Sequence, residues 1–167
     1  MEHEDPWKIL QNINEWLRHA DTKASLVLTL DGALVGLIAL RVQTPGTFDR
    51  QPFVTALLLL ATGLLAGSLG WTVIAVAPRS SVTGQQPSLL YFGHIAAEFE
   101  ARESSFVERF TALSGDREAL HRQVASQVWA NSMVARRKYR HLERGIRFTA
   151  AALLVIVVTG VVSAFGG

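Results

Sequence analysis

Apolar residues fall in three long blocks separated by polar stretches. The first covers residues 24–40 (ASLVLTLDGALVGLIAL). As a helix it rises roughly 26 Å, a little short of a ~30 Å hydrocarbon core. Asp31 lies near its centre. The second block, residues 54–76, carries no charge and is long enough to cross unaided. The third, residues 148–165, is uncharged and rich in Val and Ala. A soluble core accommodates one such helix. Three in 167 residues leave too little polar surface to cover them, so the pattern predicts three transmembrane helices.

The polar stretches have their own periodicity. Leu10, Ile13, Leu17 and Ala20 recur at three- and four-residue steps, which predicts an amphipathic helix in residues 1–23. Asp5 is its N-cap, Pro6 takes its first helical position, and nothing stops the helix before span one. After a polar linker (residues 78–87, PRSSVTGQQP), Leu90, Phe92, Ile95, Phe99, Phe106 and Phe110 predict one helix over residues 88–113. Ser114 and Gly115 end it, and Asp116 caps the next. Leu120, Val124, Val128, Asn131, Ala135, Leu142 and Ile146 mark that last helix, and no proline separates it from span three. No stretch alternates as a strand would. The expected fold is all-α: an integral membrane protein with three transmembrane helices and a small cytoplasmic helical bundle. Residues 41–53 form the outer loop, with Pro45, Gly46 and Pro52 suited to a turn, and residues 77–147 form the cytoplasmic helical region.

Charge orients this arrangement. Lys8, Arg18 and Lys23 precede span one, and only Arg41 and Arg50 lie between spans one and two. Eleven basic residues, from Arg79 to Arg147, lie between spans two and three, densest beside span three, and none follows it. Basic residues favour the cytoplasmic side, so the N-terminus is expected inside, the C-terminus outside, and the protein in the cell inner membrane. The polar, acidic-leaning start does not read as a cleavable signal peptide. The chain has no cysteine, which excludes disulfides, thiolate metal sites and thiol nucleophiles.

No catalytic or metal set assembles. His3, His19, His94, His121 and His141 are scattered, and there is no phosphate-binding glycine loop. Glu98, Glu100, Glu103 and Glu108 read as a solvated face. No enzyme activity and no cofactor are expected. Asp31 is the most unusual residue, because a carboxylate deep in a span costs about 2.5–3.5 kcal/mol. It reads as an interhelical contact or pore-lining group, or as a carboxyl that only aids packing, with Thr29 and Thr62 as possible partners. Gly32-x-x-x-Gly36 and Gly63-x-x-x-Gly67 suit close helix approach, between copies or within one chain. Trp71 and Tyr139 are interfacial or packing aromatics. Arg136, Arg137, Lys138, Arg140, Arg144 and Arg147 suit a phosphate or lipid headgroup, or simply set topology. Gln127 and Asn131, one turn apart beside the apolar stripe, need amide partners, in the bundle or in a polar ligand. Asn14, Arg18, Asp21 and Lys23 lead into span one. That helix end has both signs of charge, able to hold a cyclic phosphodiester and a base or to form an interfacial charge pair.

The segments Asn14-Glu15-Trp16-Leu17-Arg18-His19 followed by ADTKAS, Leu90-Tyr91-Phe92-Gly93-His94-Ile95-Ala96, and residues 123–142 (QVASQVWANSMVARRKYRHL) occur in this order across most of the chain. Together they resemble the transmembrane effector family of the bacterial Pycsar antiphage systems (the PycTM type). The resemblance implies that a neighbouring pyrimidine cyclase makes cyclic UMP or cyclic CMP after phage infection. The effector senses that nucleotide and impairs the inner membrane, and the cell dies before phage are released. Matching positions plus charge nominate Asn14, Arg18, Asp21, Lys23, Gln127, Asn131 and Lys138 as nucleotide ligands. Asp31, Gly32, Gly36, Gly63 and Gly67 are nominated for gating. Expected partners are the nucleotide, membrane lipid and further copies of the chain, and no nucleic-acid polymer. The residues alone leave two rivals: a membrane anchor or scaffold for a cytoplasmic protein, and a small ion channel built around Asp31.

Overall fold

The structure is a computed structural model and describes residues 5–43, 51–77 and 87–165. Pro45, Gly46 and Arg50 of the outer loop, most of the linker with Arg79, and His3 lie outside the described residues. Among those described, every regular element is a helix: α1 (Pro6–Val42), α2 (Pro52–Val76), α3 (Phe92–Phe99), α4 (Glu103–Gly115) and α5 (Arg117–Phe165). Asp5 Oδ1 accepts from the Trp7 amide at 3.1 Å, the expected cap. Asp116 Oδ1 accepts from the Ala119 amide at 2.9 Å, capping α5. Both long helices run unbroken into apolar sequence, α1 for 37 residues and α5 for 49.

The chain forms two compact units, Met1–His19 with Pro78–Arg137 and Ala20–Ala77 with Lys138–Gly167. The second is a three-helix bundle of the later part of α1, all of α2 and the later part of α5. Leu34, Ile38, Val54, Leu58, Ala61, Leu65 and Ala152 form its main core, and Ala24, Ala75 and Leu142 a second cluster. The opposite faces are also apolar: Leu26, Leu59 and Leu154 are each about two-thirds exposed. A water-soluble bundle turns polar side chains outward. Helices this apolar on both faces, and long enough to cross, make this an all-α membrane protein.

In the first unit the predicted helix over residues 88–113 is two helices. The chain breaks at Glu100–Arg102, where Ala101 takes a left-handed φ of 57°. The reason is burial. Unbroken, that helix would hold Leu89 and Leu113 roughly 36 Å apart. Folded back, α3 and α4 bring Leu89, Phe99 and Leu113 into one cluster with Ile95, Phe106 and Leu120. Phe106 packs edge-on to Phe99 at 5.5 Å. Arg109 lies 5.2 Å over the Phe99 ring and pairs with the Glu98 carboxylate, and Arg102 donates to the Glu98 carbonyl. Phe92, counted in the predicted stripe, is instead mostly exposed.

The buried line of α5 also differs from the predicted stripe. It runs through Val124, Gln127, Ala130, Leu142, Gly145 and Thr149, leaving Ile146 exposed. Gly145 faces the bundle, where the Thr72 hydroxyl of α2 occupies the space that a Cβ would take.

An L-residue in the left-handed region costs about 1 kcal/mol. Ala101→Gly should therefore stabilise the α3–α4 turn by about 1 kcal/mol. Slower amide exchange across residues 99–106 would register the gain; unchanged exchange would show that the turn carries no such strain.

Candidate functional site

The nominated ligand residues divide between the two units. In the first unit, Asn131 Nδ2 donates to Asn14 Oδ1 at 2.7 Å, and Gln127 Nε2 donates to Asn131 Oδ1 at 2.9 Å. A row of three amides thus joins α1 to α5, with Gln127 buried at one end and Asn14 exposed at the other. Helical spacing places Gln127 and Asn131 one above the other, which lets one amide carbonyl take its neighbour's proton. Arg18, one turn beyond Asn14, is largely exposed and lies 3.9 Å from Glu15.

The same unit contains a second polar cluster that sequence reasoning missed. Gln123 Oε1 accepts from the Leu89 amide at 3.1 Å and from Ser88 Oγ at 3.4 Å. His94 Nδ1 accepts from the Ser88 amide at 3.0 Å, which leaves its proton on Nε2. These bonds tie the segment before α3 to α5. The only sequence signal was that Ser88 and Gln123 are polar residues flanking apolar stripes.

In the second unit, Asp21 and Lys138 form an ion pair at 2.5 Å. Lys23 lies 5.6 Å from the Tyr139 ring centre. Arg144 sits 4.6 Å over Trp71, which stacks on His141 at 5.5 Å. Trp71 and Tyr139 therefore both carry cations on their faces. Arg147 pairs with Glu143 at 2.5 Å, while Arg136, Arg137 and Arg140 are exposed.

Asp31 is fully buried and is held by residues of the other two helices. Ser68 Oγ donates to its Oδ2 at 2.6 Å, and Thr149 Oγ1 donates to its Oδ1 at 2.8 Å. The two hydroxyls are 2.7 Å apart, and Ser68 Oγ is 3.1 Å from the Gly145 carbonyl oxygen. The expected partners are corrected here. Thr29 Oγ1 bonds to the Ser25 carbonyl and Thr62 Oγ1 to the Leu58 carbonyl, each within its own helix. Asp31 is level with Gly145 and Thr149, where the third apolar block begins.

The glycines divide as well. A Cβ on Gly67 would lie 2.9 Å from the Phe148 ring, and one on Gly145 would collide with Thr72 Oγ1. Both serve packing within the chain. Gly32, Gly36 and Gly63 meet nothing within 4 Å.

Gly145→Ala should force α2 from α5 and destabilise the bundle by about 1–3 kcal/mol, whereas Gly32→Ala should leave it unchanged or slightly more stable. Thermal melting of the two variants in detergent checks this. Equal Tm for both would contradict the close approach of α2 and α5.

Comparison with known proteins bears on what this arrangement serves. The Pycsar effector protein domain profile, PycTM, matches residues 6–165. The chain is 31% identical over 169 aligned residues to the Pycsar effector protein PtPycTM of Propioniciclava tarda, covering 98% of this chain and 81% of that one. A shorter match, 48% identical over 48 residues, is to the Pycsar effector protein MePycTM of Micromonospora echinofusca; it covers 29% of this chain and 81% of that protein. No solved structure matches. The profile spans all five helices, and one relative aligns over nearly the whole chain, so the protein belongs to the PycTM family of Pycsar effector proteins.

Proposed function

We propose that this effector senses a cyclic pyrimidine nucleotide, cyclic UMP or cyclic CMP from a neighbouring cyclase, and responds by impairing the inner membrane. The cell then dies before phage are released. The observation that carries this reading is the amide row Gln127–Asn131–Asn14 joining two helices that both continue into apolar sequence.

A pyrimidine offers carbonyl acceptors together with a ring N–H or exocyclic amine, and side-chain amides are the groups that match both. Asn14 is exposed, and its Nδ2 has no acceptor among the described residues. Arg18, one turn away, supplies a guanidinium for the cyclic phosphate. Nucleotide that binds one arrangement of α1 and α5 better than another shifts the population toward it. Because neither helix is interrupted, the shift reaches residues of the membrane bundle.

There the Asp31–Ser68–Thr149 bonds hold the three spans in the resting packing, and the Asp21–Lys138 pair joins α1 to α5. Gly32, Gly36 and Gly63, where an added Cβ would meet nothing within 4 Å, supply small-residue faces for self-association. The basic residues flanking spans one and three favour the N-terminus in the cytoplasm and the C-terminus outside.

Isothermal titration of the full-length protein in detergent tests the sensing step. Heat is expected with cyclic UMP or cyclic CMP and not with cyclic AMP. Asn131→Ala should weaken binding about tenfold, the worth of a hydrogen bond of ~1.4 kcal/mol. Absence of heat with either pyrimidine nucleotide would refute sensing and favour a scaffold or an Asp31-centred channel.

A further inference from the structure

The register of α2 against α5 places a basic face beside an apolar one. Gly67 lies against Phe148, Thr72 against Gly145, and Trp71 against Arg144 and His141. Ala75 clusters with Leu142. The last turns of α2 are therefore level with residues 142–148 of α5. On α2 this stretch is uncharged, and Val73, Ile74 and Val76 are exposed. On α5 it exposes Arg144 and Arg147, with Arg140 one turn before.

Lipid must cover both faces. α2 has 25 residues, a length of ~37 Å against a ~30 Å hydrocarbon core. With its far end at one boundary, only about five residues extend past the other. Trp71 and the guanidinium above it then lie at the headgroup boundary. Cations at that depth require water or an anion.

The described residues of the membrane unit have no anion left to give. Among its described residues the carboxylates are Asp21, Asp31 and Glu143, engaged by Lys138, by Ser68 and Thr149, and by Arg147. No carboxylate among the described residues pairs with Arg140 or Arg144. The same inventory argues against a second copy of this bundle as their partner. Arg144 is already ordered, because its guanidinium is held over Trp71, and the residue is exposed to a ligand.

We infer that Arg140 and Arg144, with Trp71 as platform, form a binding site for the phosphate of an anionic phospholipid. Exposed Ile74, one turn along α2 from Trp71, offers apolar surface to the acyl chain. A phosphate ion shares the recognition chemistry but has no use for that surface. The inference rests on the bilayer placement of the apolar helices and not on nucleotide recognition, so the two fail independently.

Native mass spectrometry of the full-length protein in detergent tests it, with phosphatidylglycerol, phosphatidylcholine or inorganic phosphate added. Phosphatidylglycerol should be retained over phosphatidylcholine. R140Q should lower its retention about fivefold and R140Q/R144Q about twenty-fivefold, as expected for one basic side chain each beside an anionic headgroup. R140K/R144K should restore part of the loss. R122Q, in the other unit, should change nothing. Arg140 is exposed, so R140Q remains informative even where the double variant loses helix by circular dichroism. Equal retention of the two lipids, wild-type retention by R140Q, or displacement of phosphatidylglycerol by equimolar inorganic phosphate would overturn the assignment.

Discussion

A carboxylate withdrawn from water among apolar helices must find its donors in the protein, and Asp31 takes one from each of the other two spans. Ser68 and Thr149 reach it only while α1, α2 and α5 are in one register. The rest of the membrane bundle follows from that requirement. Gly145 and Gly67 bring α5 and α2 close enough for the hydroxyls to bond, and the Leu34–Leu58–Leu65 core fills the remainder. At the far end, Arg41 of α1 bonds to Gln51, the residue before α2, and to Ser163 of α5. Polar bonds therefore specify the packing, while apolar surface supplies the partition into lipid. Lipid tails are as apolar as the side chains, so hydrophobicity alone gives the helices little reason to choose one packing over another.

The three apolar blocks were legible because membrane insertion depends on local composition and length. The continuity of α1 and α5 was legible because no residue between them and their spans breaks a helix. The break at Ala101 was not. No glycine or proline marks it, and its cause is the meeting of Leu89, Phe99 and Leu113, which are far apart in sequence. Asp31 stands out in the sequence as anomalous, yet Thr29 and Thr62, its possible partners, bond within their own helices. Periodicity says which face a hydroxyl occupies, while the antiparallel register of α2 and α5 decides which hydroxyl arrives. The same limit explains Ile146. A glycine counts as neither apolar nor polar in a stripe, so the reading passed over Gly145, the residue that the approach of α2 requires.

The proposed sensing reading places the nucleotide at the amide row. Three neutral amides bonded in series are ordinary structural pairing, and also the type of group that reads a pyrimidine edge. On that proposal, their placement on α1 and α5 would give a ligand leverage, because among the described helices these two alone contribute residues to both compact units. The bundle is held by a few buried polar bonds, each weak enough for binding energy of a few kcal/mol to reorder.

Ion efflux from liposomes containing the purified full-length protein tests this coupling most directly. The account predicts efflux that rises with cyclic UMP or cyclic CMP and stays at its resting level with cyclic AMP. Efflux equal at every nucleotide concentration would contradict it.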